Sequence, residues 1–333
     1  MTGELHIAVL HGSVKAARGG PSYSHNIHRF VNLVTNFIEE AKANNNPIHL
    51  IVSHAFPASG NIPEYIRDRE RAKSRIKYRS TTLNLKTMGQ GSPVRLLRKV
   101  AINHNVNILY GPLYEVAGPR NYETTVLIKP DGGIEKYRKI TLTPVEESLG
   151  LTCGKTPGVF DLVDYSGNGI GRIGVFIDED MFNPLIFKAF EMSKVDIVIG
   201  HAMPYTSRYL PQPKKEGYVV TMKHCLVDKI LTARSMDAKS PLVLVGGVLN
   251  VYTSSRRLVE KHWMPTTIVD PEDPENDVCL SPATAKSTSR PFLTADDVDK
   301  FKRVIVELND DKDGSAGDCE RAHKWFKKIC SSK

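Results

Sequence analysis

Apolar positions recur along the chain with two different periods, and their alternation predicts an α/β protein. Leu5 to Leu10 is a short apolar run that suits a first strand. Ile27, Phe30, Val31, Val34, Phe37, Ile38 and Ala41 then share one face at helical spacing, until Asn44-Asn45-Asn46-Pro47 ends the pattern. His49 to Val52 predicts a second strand, and residues 93–104 a helix striped by Val94, Leu97, Val100 and Ala101. Asn107 to Glu115 reads as a strand. Tyr122 to Ile128 and Gly133 to Ile140 form an antiparallel pair across the turn Pro130-Asp131-Gly132-Gly133. The alternation continues with strands Val159–Val163 and Gly169–Ile177, helix 182–193, strand Val195–Gly200 and helix Tyr218–Ala238. Strands Leu242–Val251 and Thr266–Asp270 complete it.

Composition narrows the class only slightly. A chain of 333 residues, 41% hydrophobic and 25% charged, can bury a substantial core. No apolar run approaches the roughly 18–20 residues that span a bilayer, and Leu5–Leu10 is too short for a signal peptide. Cytoplasmic residence is the expectation. Cys153, Cys225, Cys279, Cys319 and Cys330 form neither a zinc spacing nor a disulfide framework, and read as free thiols.

One basic segment stands out. Arg67, Arg69, Arg71, Lys73, Arg75, Lys77 and Arg79 occupy every second position. An extended backbone would gather them on one face able to contact phosphates, whereas a helix would spread them around its surface. Aromatic residues for base stacking are sparse, so a nucleic-acid-binding module is the weaker alternative and a solvated segment the stronger.

The densest candidate chemistry lies at residues 171–184. The β-branched run Ile173–Ile177 stops at Asp178, Glu179 and Asp180, with Pro184 and a helical pattern following. Polar side chains delivered from a strand end into a turn before a helix are a common location for chemistry in α/β proteins. Taken alone, three adjacent acids more often make a solvated turn.

Two stretches together resemble the nitrilase, or carbon–nitrogen hydrolase, superfamily. In that family the strand ends in Cys-Tyr-Asp, with a proline six residues after the cysteine. Asp180 and Pro184 keep that register and put Asp178 at the cysteine position. The second stretch holds Glu115, then Pro130-Asp131-Gly132, Tyr137-Arg138-Lys139 and Glu146, in the family's order and spacing. Ala233-Arg234-Ser235-Met236-Asp237-Ala238 is similar to a family helix terminus. The resemblance covers roughly residues 5–275 and implies a four-layer α-β-β-α sandwich and a homodimer.

By the same resemblance Lys139 is the lysine that stabilises an oxyanion, and Glu146 the accessory glutamate. His54, in Ser53-His54-Ala55-Phe56, stands where the family has its general-base glutamate. Asp178 cannot form a thioester, and Asp178 is expected to pair directly with Lys139. The favoured reading is a catalytically silent homologue that binds a small molecule or protein partner. A C–N bond hydrolase of amidase type, working by direct water attack, is the alternative.

The chain thus divides into a nitrilase-like domain (1–275), a Pro-, Ser- and Thr-rich linker (276–293) and a helix-loop-helix appendage (294–333). In the appendage, Thr294 and Asp297 suggest a capping box, and Phe301, Val304, Ile305 and Leu308 a helical stripe. Asn309, Asp311, Asp313, Ser315 and Glu320 then fall at ligand positions of an EF-hand loop, with Gly314 at its turn. This predicts weak calcium binding, since Asn309 removes one charge and no partner hand is present.

Overall fold

The computed structural model describes residues 4–10, 13–15, 20–57, 69–86, 88–89, 92–202, 230–245, 247–252, 258–264, 266–269, 278–280, 301–307 and 316–331. Two six-stranded mixed sheets dominate it. In the first, β1 (Glu4–Leu10), β3 (Leu50–Val52) and β4 (Asn107–Ala117) run parallel, and β5 (Arg120–Ile128) and β6 (Ile134–Arg138) extend it antiparallel. In the second, β8 (Gly169–Ile177), β9 (Ile197–His201) and β10 (Leu242–Val245) run parallel. β7 (Gly158–Val163) flanks them on one side, and β13 (Thr266–Val269) and β14 (Val278–Leu280) on the other. A small third sheet joins β2 (Ser13–Lys15), β11 (Gly247–Tyr252) and β12 (Leu258–Met264).

The two large sheets bury their facing sides against each other. Ile7, Leu50, Leu109 and Leu127 from one meet Ile173, Val175, Ile197 and Val243 from the other in one apolar cluster. The outer face of the first sheet is covered by α1 (Gly20–Ala43) and α3 (Pro93–His104), through Phe30, Val34, Leu97 and Ala101. On the outer face of the second lie α5 (Pro184–Met192), helical residues 230–238 (α6) and α7 (Ala316–Ser331). They contribute Ile186, Phe190, Leu231 and Phe326. These layers form the α-β-β-α sandwich, whose strands, buried on both faces, explain the continuous apolar runs of β8 and β9.

The described part of the basic segment is a helix, α2 (Arg69–Arg79), so its alternate cations do not share a strand face; Arg67 lies outside the described residues. Among its described side chains Ile76 and Arg79 are buried, and Lys73 pairs with Glu70. No described helix is long and apolar enough to cross a membrane.

The tail departs most from expectation. Phe301–Glu307, expected as a helix, is a strand (β15) that lies antiparallel to β1, with Val304 opposite Ile7. The run Val304-Ile305-Val306 is β-branched, and the outer edge of β1 offers a full row of backbone hydrogen bonds; together these outweigh the helical spacing. Strand β14 lies in the stretch expected as a linker and pairs with β13. The element entering the EF-hand-like loop is therefore a strand. Thr294, Asp297, Asn309, Asp311, Asp313 and Ser315 lie outside the described residues. Glu320 is an exposed residue of α7 whose carboxylate pairs with Lys324 at 2.7 Å.

Candidate functional site

The strand β8 ends at Ile177, and the chain turns abruptly. Asp178 takes a left-handed backbone, φ 44°, and opens a short 3-10 turn, Asp178–Phe182. Such a conformation costs a non-glycine residue on the order of 1–3 kcal/mol; aspartate tolerates it better than most. Asp180 fixes the turn. One of its oxygens accepts from the backbone N–H of Ile140 (3.1 Å) and Thr141 (2.7 Å). The other accepts from Ile177 N–H (3.1 Å) and the Tyr137 hydroxyl (2.7 Å). This carboxylate ties the end of β8 to the segment leaving β6 in the opposite sheet, and is fully buried. Asn183 then caps α5 by accepting from Leu185 N–H, with Pro184 at the first helical position. The acidic triplet is not a solvated turn: Asp178 and Asp180 are both buried.

Lys139 follows β6 and is buried to its ammonium. It donates to Glu146 Oε1 at 2.7 Å and is ion-paired with Glu179. Glu146 is positioned by its own helix, α4 (Pro144–Ser148). There Thr143 N–H donates to Glu146 Oε2 (2.8 Å), while Glu146 N–H donates to Thr143 Oγ1 (3.1 Å). One glutamate thus caps a helix with one oxygen and holds the lysine with the other. Behind Lys139, Gly154 N–H donates to the Lys139 carbonyl at 2.6 Å. A Cβ on Gly154 would lie 2.1 Å from the Arg138 carbonyl oxygen, so only glycine permits this approach.

Beside the position expected to pair with Lys139, Asp178, the next residue, Glu179, makes an ion pair with it. The left-handed turn at Asp178 redirects the chain, and the following side chain reaches the ammonium. Asp178 also acts on Lys139 as a nearby negative charge. Burial opposes the lysine's charge, but Glu123, Glu179, Glu146 and Asp178 outweigh it and hold its pKa well above the ordinary value.

Glu123 is the residue sequence reasoning missed. It is fully enclosed, and burial above all pushes its carboxyl well above the usual range. Glu146, Asp178 and Glu179 add to that push and Lys139 opposes it. The signal was available in β5. Leu127 faces the space between the sheets, so a glutamate four residues earlier on the same face is buried as well. Burial also raises the Glu179 carboxyl, against the pull of Lys139.

His54 is buried just after β3, with its ring edge-on to Phe30 of α1 at 6.1 Å. Among the described residues Lys139 makes its ion pairs with Glu146 and Glu179, so the structure brings together Lys139, Glu146 and Asp178 with Glu123 and Glu179. A second histidine links the sheets nearby. His201, at the end of β9 and in register with Ile177, donates from Nε2 to the Ser53 carbonyl at 2.9 Å. Burial lowers its pKa to about 4, so it is neutral near pH 7. Glu115, the other acid of the sequence block, lies apart from this cluster. It receives a bidentate Arg138 guanidinium (2.8 Å and 2.8 Å), Lys136 (2.7 Å) and the Thr124 hydroxyl (2.9 Å).

The chain matches the family model described as carbon-nitrogen hydrolase over residues 15–217, more than half its length. Similar solved structures include Nit3 of Saccharomyces cerevisiae, a member of the nitrilase superfamily. It is 17% identical, covers 87% of this chain and 97% of its own, and has a TM-score of 0.59. A carbon-nitrogen hydrolase from Helicobacter pylori gives 13% identity, 98% and 93% coverage and a TM-score of 0.60. An amidase of the nitrilase superfamily from Nesterenkonia gives 14%, 98% and 98%, and 0.56. At these identities the likeness is one of fold. No curated protein sequence matches the chain.

Proposed function

This chain belongs to the carbon–nitrogen hydrolase family, and we propose that it is a non-hydrolytic member which binds a small amine or amide at the acidic cluster around Lys139. The observation that carries this reading is the enclosure of Lys139 between Glu146 and Glu179. A lysine that stabilises an oxyanion must offer positive charge to a substrate oxygen. Here two carboxylates already receive that ammonium. Asp178, at the elbow after β8, has no thiol with which to form a thioester.

Four carboxyl groups, Glu123, Glu146, Asp178 and Glu179, surround one lysine, so the cluster favours a ligand that donates hydrogen bonds or carries positive charge. Glu179 and Glu146 keep 16% and 10% of their side-chain surface accessible. Calorimetric titration of the full chain with propylamine and propionamide tests the reading. Saturable binding of either, weakened about tenfold (about 1.4 kcal/mol) in Asp178→Asn, is the expected result. No heat with either compound, or equal binding by the variant, overturns it.

A further inference from the structure

We propose that the outer face of the β5–β6 edge is a second, separate site, which takes a small phosphate-bearing anion. A cavity of about 290 Å³ opens there, lined among others by Arg120, Tyr122, Lys136, Arg138, Cys153 and Lys155. That volume lies near the lower end of small-molecule pockets, larger than a single phosphate and suited to a small phosphate ester.

The register of the hairpin explains how the cations converge. Thr124 stands opposite Arg138 across β5 and β6, and Tyr122 opposite Glu115 across β4 and β5, so these side chains share one face. The reverse face of the same strands carries Glu123 and Tyr137, next to Lys139 and the acidic cluster. The two clusters are thus held back to back with opposite sign. The loop carrying Cys153 and Lys155 closes the basic side, docked by Thr152 N–H on the Asn121 carbonyl (2.8 Å) and Gly154 N–H on the Lys139 carbonyl.

The site is built rather than incidental. Arg138 is fixed by both oxygens of Glu115, a carboxylate with 1% of its side chain exposed, and its guanidinium lies over the Tyr122 ring at 3.7 Å. Burial opposes ionisation of Glu115, but hydrogen bonds from Arg138 and Lys136 hold its pKa below the usual range. Four cations therefore line the cavity, and Glu115 is the carboxylate among their described ion-pair partners. Arg120 and Lys155 are exposed and have no ion pair among the described residues. Arg120 and Lys155 supply the charge that Glu115 does not take up, and the N–H groups of Arg138 and Lys136 that Glu115 leaves over complete a donor set for the several oxygens of a phosphate. The chemistry differs in kind from that of the acidic cluster, so the inference does not rest on the reading proposed for that cluster.

Isothermal titration of the full chain with glycerol 3-phosphate, against sodium chloride at matched ionic strength, tests the proposal. One site per chain is expected, and the double variant Arg120→Ala/Lys155→Ala should weaken it at least tenfold without altering the melting temperature, since neither side chain makes a described ion pair. Alkylation of Cys153 by iodoacetamide, followed by peptide mass spectrometry, supplies a local readout: glycerol 3-phosphate should slow it in the native chain and not in the double variant. Heat indistinguishable from the chloride control, or binding and Cys153 protection that persist in the double variant, would overturn the assignment.

Discussion

Lys139 and Glu179 form an ion pair across the two sheets, the lysine from the end of β6 and the glutamate from the turn after β8. With Glu146 on its other side, the ammonium is held by two carboxylates, and two further acids, Glu123 and Asp178, press on the same point. Removing charges from water is costly and is recovered only when every member is paired. The members of this cluster should therefore respond very differently to loss of a charge.

Glu123 and Glu146 provide the contrast. The Glu123 carboxyl is raised well above its ordinary value, chiefly by burial. An acid raised on folding loses stability as pH climbs above its unfolded value of 4.5 toward the folded one, so its charge is a burden at neutral pH. Glu123→Gln should change stability at pH 7 by less than about 1 kcal/mol, or increase it. Glu146→Gln removes a charge paired with Lys139 and should cost about 3 kcal/mol. Urea unfolding of both variants decides the matter; equal losses would refute the account of Glu123 as a carboxyl whose charged form burial disfavours.

His201 sets a pH dependence. Its folded pKa is depressed from 6.5 to about 4, so the stability it contributes is present above 6.5 and is lost as pH falls toward 4. Protonation of the unfolded chain alone should remove about 2 kcal/mol by pH 5 and about 3 kcal/mol once both states are protonated. His201→Asn should be less stable at pH 7.5 and should flatten the decline between pH 7 and 5. An unchanged slope in the variant would assign the acid sensitivity elsewhere.

The described C-terminal residues, β15 and α7, belong to the sandwich. β15 completes the edge of the first sheet and α7 buries Ala322 and Phe326 against the second. Deleting residues 294–333 uncovers both and should abolish cooperative thermal unfolding or leave the chain insoluble. A truncated chain that melts within a few degrees of the full one would restore the tail to an independent appendage.

How legible these features were depended on how local their causes are. The strands β8 and β9, helix α3 and the Pro130–Gly133 turn follow from periods and turn residues read within ten positions, and the structure matches them closely. Lys139 and Glu146, each singled out by the resemblance, meet in the structure because their separation is short and the capping box at Thr143 fixes it. Three features escaped. Glu179 reaches Lys139 from a turn opened by a left-handed residue, which no periodicity reports. Glu123 joins the cluster only through the facing of β5. β15 has helical spacing in sequence, and its strand state is decided by a partner almost three hundred residues away.

On the proposed reading this site does not hydrolyse carbon–nitrogen bonds. Steady-state assay of the full chain against a panel of aliphatic amides, nitriles and carbamoyl compounds, with Lys139→Ala in parallel, tests it most directly. No product above the variant's background is expected for any compound. Turnover of about 1 per second or faster, abolished by Lys139→Ala, would contradict it.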